Sequence, residues 1–81
     1  MEVEVIRVDL DNLPMQLRQI RSQKKITQRQ LAERAQVSQQ TVSAIEHGRI
    51  EPSLKVLSAI ALALGVSLIV GAIGEIRKQP T

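Results

Sequence analysis

The apolar residues change their period twice along the chain. Met1 to Leu10, MEVEVIRVDL, alternates with a period of two: Val3 and Val5 share one parity, and Ile6, Val8 and Leu10 the other. Alternation in β-branched residues predicts a strand, and the change of parity between Val5 and Ile6 predicts a bulge or a slip in facing. Asp11 and Asn12 then offer helix caps, and Pro14 suits a first helical turn. Leu13, Leu17 and Ile20 follow at spacings of four and three, so the pattern predicts a first helix over Leu13 to Gln23.

Three more helices follow from start and stop signals. Thr27, with Gln30 three residues on, makes a capping box for a second helix from Gln28 to Ala35. Ser38 caps a third helix, which Gly48 ends near Glu46. Pro52 and Ser53 open a fourth, carrying LKVLSAIALAL and stopping at Gly65. Beyond Gly65, glycines and the β-branched Val66, Ile69, Val70 and Ile73 disfavour a helix and predict a second strand from Val66 to about Ile73. The chain therefore divides into an N-terminal strand extension (1–12), a helical domain (13–65), a C-terminal strand for dimerisation (66–76) and a basic tail (77–81). There is no internal repeat.

The fourth helix carries more apolar surface than one small domain can cover. Leu54, Leu57, Ala61 and Leu64 form a face toward the domain, Val56, Ile60 and Ala63 a second, and Leu62 a third. A helix apolar nearly all round needs burial nearly all round. A lone two-stranded ribbon is likewise marginal in water. Both features point to a homodimer in which strands of two copies pair, with Val56, Ile60, Ala63, Leu68 and Val70 at the interface.

Composition narrows the chemistry. The 81 residues allow one small domain, and 43% hydrophobic content without any Phe, Trp or Tyr means an aliphatic core. With no cysteine and His47 as the one histidine, disulfides and a structural zinc site are disfavoured, and no metal or cofactor is expected. No nucleophile–base pair, paired carboxylates or phosphate-binding glycine loop is present, which argues against an enzyme. The run Val56 to Gly74 is uncharged and close to the length of a membrane span, but Ser58, Ser67 and three glycines interrupt it, so a span is disfavoured. The start lacks a basic, apolar leader, which favours a cytoplasmic protein. A net charge of +3 is compatible with a polyanionic partner.

The stretch Gln28 to His47 carries the chemistry. Ala32 is the small residue where two short helices can touch, and Leu31, Val37, Val42 and Ile45 anchor them inward. Gln39, Gln40, Ser43 and His47 leave the third helix with a polar face. This is the pattern of a helix-turn-helix, whose second helix enters the DNA major groove. A glutamine amide pairs bidentately with adenine N6 and N7, so Gln39 and Gln40 suit base reading. Lys24, Lys25, Arg29, Arg49 and Lys55 cluster around the same face, where they suit phosphate contact.

From Leu17 to Val66 the chain resembles the Cro/C1-type (XRE-type) helix-turn-helix family. The resemblance rests on the Leu-Arg opening, TQ before the second helix, LA within it, VS at the turn, VS.IE.G in the third helix and PSL..L..IA.ALGV in the fourth. It implies a mainly α, four-helix, lambda-repressor-like domain, here flanked by short N- and C-terminal β-strands that pair in a dimer. It further implies a sequence-specific transcriptional repressor that binds a palindromic operator in double-stranded DNA as a homodimer, of bacterial, phage or plasmid origin. Gln39, Gln40 and Ser43 match base-contacting positions. Gln28 matches a glutamine that binds phosphate and braces the start of the third helix. Thr27, Ser38 and Thr41 suit phosphate contacts beside the cations already named. Arg21 and Glu46 match a pair that forms an internal salt bridge. Two positions depart from the pattern. Gln36 stands where glycine is frequent, implying strain of roughly 1 kcal/mol if left-handed, and Ala44 replaces a third reading side chain. An alternative within the same family is an antitoxin that neutralises a toxin protein and represses its own operon.

Overall fold

A computed structural model describes residues 3–70. In chain order the elements are β1 (Glu4–Val8), a single 3-10 turn (Leu10–Asn12), α1 (Leu13–Gln23), α2 (Gln28–Ala35), α3 (Gln39–Glu46), α4 (Leu54–Leu64) and β2 (Val66–Val70). The expected positions Gly71 to Ile73 of the second strand, and the tail, lie outside the described residues.

The helix boundaries follow the local chemistry. Thr27 Oγ1 accepts from the Gln30 amide at 3.0 Å while Gln30 Oε1 accepts from the Thr27 amide at 2.9 Å, completing the capping box of α2. Ser38 and Ser53 cap α3 and α4 by a one-way bond, accepting from the amides of Thr41 and Val56 at 3.0 and 3.1 Å. Asn12 occupies the N-cap of α1 without a side-chain bond; Asp9 instead caps the preceding 3-10 turn, accepting from Asp11 N at 3.1 Å.

β1 and β2 pair with each other in parallel, from Glu4 opposite Val66 to Val8 opposite Val70. A parallel pair needs a long crossover, and here the entire helical unit supplies it. The register runs without a break, so the expected bulge at Val5–Ile6 is absent. Ile6 and Val8 turn toward the helices and Val5 stays outside, exposed like Val3, so one parity alone serves the core. The strand also stops short of Leu10, which enters the 3-10 turn. Gln16 of α1 fastens that end: its Nε2 donates to Arg7 O at 3.1 Å and its Oε1 accepts from Asp9 N at 3.0 Å.

The core is aliphatic throughout. Leu17, Leu31, Val42, Ile45, Ile60 and Val8 are its most deeply buried apolar side chains, contributed by all four helices and β1. On α4 the buried stripe is Leu57, Ile60 and Leu64, which corrects two expectations. Leu54 does not face the domain: it is 78% exposed, as is Leu62 at 82%. Ile60 is not available to an interface, because at 1% exposure it is spent inside its own chain. The spacing of three and four that joins Leu57, Ile60 and Leu64 keeps Leu57 and Leu64 of the face read off the sequence and turns it to take in Ile60 in place of Leu54.

Candidate nucleic-acid interface

The join between α2 and α3 sets the angle of the second helix. After Ala35 the chain turns through Gln36 at φ 61°, ψ 40°, a left-handed conformation in a residue with a Cβ. Two bonds hold it there: Gln36 N donates to Glu33 O at 3.3 Å and Val37 N to Ala32 O at 3.0 Å. The strain implied at this position is present, and closing two carbonyls at the end of α2 offsets it. Lys25 is a second left-handed residue, at φ 58°, between α1 and α2.

α3 then divides into two faces. Val42, Ile45 and Glu46 are buried, while Gln39 and Gln40 are exposed and Ser43 and Ala44 half-buried. With 100° per residue, Gln40, Ser43, Ala44 and His47 form the stripe opposite the core, and Gln39 sits on its flank. The hydroxyls near the start of α3 are already engaged with each other, Ser38 Oγ lying 2.9 Å from Thr41 Oγ1.

Glu46 is the one buried charged residue among those described, 1% exposed, and it is saturated with partners. Arg21 grips its carboxylate with Nε at 2.6 Å and Nη2 at 3.0 Å, and Gln28 Nε2 donates to the same group at 3.0 Å. Arg21 Nη1 also donates to Ile26 O at 2.9 Å. A buried carboxylate is tolerable because every oxygen is bonded. The implied role of Gln28 is thus revised: its amide braces the last residue of α3 rather than the first. Reading the sequence missed Arg18, whose Nη1 donates to Glu46 O at 2.7 Å. Its position three residues before Arg21, on the same helix side, was the available signal.

The cations differ in their freedom. Lys24 Nζ lies 3.1 Å from Glu4 of β1, and Arg29 Nε 3.8 Å from Glu33 one turn on. Both pairs are solvent-exposed, so each is worth well under about 1 kcal/mol and is readily exchanged for another anion. Among the described residues, no carboxylate pairs with Lys25, Arg49 or Lys55. No cluster of three or more metal-ligating residues occurs among the described residues, and no helix of theirs is long and apolar enough to cross a membrane.

Comparison with known proteins places this geometry. A family model described as Helix-turn-helix matches residues 17–70. The immunity repressor protein of Bacillus phage phi105 is 48% identical over 65 residues, which is 78% of this chain but 45% of that protein. The chain thus spans less than half the length of that relative. Among solved structures, the clp gene regulator ClgR of C. glutamicum superposes with a TM-score of 0.65 at 42% identity, covering 68% of this chain and 71% of that one. A point mutant of the controller protein C.Esp1396I bound to its highest-affinity operator site superposes with a TM-score of 0.67 at 29% identity, covering 72% and 76%.

Proposed function

This chain belongs to the helix-turn-helix family, and from that membership we propose that it is a transcriptional regulator that reads duplex DNA with α3 and represses from a palindromic operator. The observation that carries the reading is the two-sided character of α3. One face is locked into the core by Val42, Ile45 and Glu46, and the other presents Gln40 to solvent, with Gln39 exposed on its flank. The relatives point the same way, being a repressor, a gene regulator and an operator-bound controller.

In this reading Gln39, Gln40 and Ser43 contact base edges. Lys25, Arg49 and Lys55 hold phosphates directly, and Lys24 and Arg29 do so by releasing Glu4 and Glu33. Thr27 contributes its hydroxyl hydrogen, since its oxygen accepts from Gln30 N. Gln28 has one amide hydrogen left after serving Glu46. Ser38 and Thr41 share one hydrogen between them and keep a second for a phosphate oxygen. The work is binding, done by prokaryotic or phage machinery in the cytoplasm, and needs no catalytic group.

The protein acts as a homodimer. Leu54 and Leu62, with Ala61 and Leu68, leave an apolar surface beside a groove of about 320 Å³ along α4 and β2. A second copy there places two α3 helices in successive major grooves, about 34 Å apart. Of the interface expected from the sequence, Ile60 is withdrawn, and Val56 and Ala63 are half-buried on the other flank. Leu68 remains, and the side chain of Val70 lies outside the described residues. Nothing in the described surface favours the toxin-neutralising alternative.

Selection from random duplexes, followed by mass measurement of the complex, tests the whole reading. A palindrome bound by two chains is the expected result; recovery of no preferred sequence would sink it.

A further inference from the structure

The last four carbonyls of a helix have no partner within it, and those of α3 are satisfied unequally. Ser43 O accepts from His47 N at 3.0 Å and lies 2.8 Å from His47 Nδ1; Ala44 O accepts from Arg49 N at 2.8 Å and Ile45 O from Gly48 N at 3.1 Å. The turn after α3 therefore closes three of the four. Glu46 O is reached instead from α1, by Arg18 Nη1 at 2.7 Å. Arg21, one turn further along α1, holds the carboxylate of the same residue.

We propose that Arg18 is a positioning residue for the reading helix. Two arginines on α1 grip a single residue, one by its main chain and one by its side chain. A side-chain grip alone acts on the last turn of α3 only through the χ angles of Glu46. Adding the carbonyl fixes the helix backbone itself, and a cation at a helix C-terminus is favourable in its own right. The consequence lies at the reading face, because bidentate contacts from Gln40 tolerate only about 0.5 Å and 10–20° of misplacement. The effect on reading rests on the DNA-binding role proposed above, whereas the clamp itself is measurable without DNA.

Two variants separate the roles. Arg18→Met keeps the packing of the aliphatic stem and removes every donor, and Arg18→Lys keeps a charged donor. In the free protein, amide hydrogen exchange at His47, Gly48 and Arg49 should quicken by about tenfold in R18M and by less in R18K. On the selected operator, R18M should lose about tenfold in preference over a scrambled duplex, with R18K recovering part of it and the salt slope of binding unchanged. Unaltered exchange in R18M overturns the clamp. Equal losses on both duplexes with a salt slope reduced by about one make Arg18 a phosphate contact and overturn the positioning role. If the wild-type protein shows no sequence preference, the DNA-reading role fails, while exchange still decides the clamp.

Discussion

Gln40 and Lys25 do opposite kinds of work at the residue scale. Base contacts discriminate and phosphate contacts hold, so Gln40→Ala should cost about 1–3 kcal/mol on the operator and little on random duplex. Lys25→Ala should weaken both alike; competitive binding with the two duplexes distinguishes these outcomes. Glu46 belongs to a different class, because its carboxylate is buried against Arg21 and Gln28 while Arg18 holds its main-chain carbonyl. Glu46→Ala leaves the Arg21 guanidinium without its partner and should lower stability by about 3–5 kcal/mol, read from the urea midpoint. That loss would exceed the worth of either exposed ion pair among the described residues. Arg21–Glu46 was legible from its place in the family pattern. Arg18 was marked only by its place three residues before Arg21, because a bond to a carbonyl leaves no complementary side chain in the sequence.

At the scale of elements, α4 separates folding from association. Ile60 lies in the core, and Ile60→Ala should cost about 2–5 kcal/mol of stability. Leu62 is almost fully exposed in one chain. Leu62→Glu should leave the monomer's fold intact and shift its mass in solution toward a single chain, as read by sedimentation. A melting loss comparable to that of Ile60→Ala would instead mean that Leu62 packs within its own chain. The helix ends were readable in advance because capping is local: Thr27, Ser38 and Ser53 each reach an amide only three residues away. The facing of α4 was not, since nearly every position is apolar and periodicity then carries no direction.

At the scale of the whole molecule, the parallel ribbon ties the two ends of the described chain together across the helical unit. Such a ribbon is weak alone and gains from the helices beneath it, through Val8 and Val66 in the core. If two copies bind one operator, their phosphate contacts add. Affinity should then fall by about a thousandfold or more between about 50 and 200 mM salt, measured by anisotropy. A nearly flat salt dependence would contradict the assignment of Lys25, Arg49 and Lys55 to the backbone.

What this sequence determined by itself was whatever neighbours in the chain decide: the four helices, their caps and the polar face of α3. These depend on interactions spanning one to four residues, which a pattern records directly. Tertiary structure decided the rest. It paired β1 with β2 in parallel, chose Ile6 and Val8 over Val3 and Val5, turned Ile60 inward and Leu54 outward, and brought Arg18 to the end of α3. Each of those choices joins residues far apart in sequence, where several apolar faces or donors compete. Only packing them into one core selects among them.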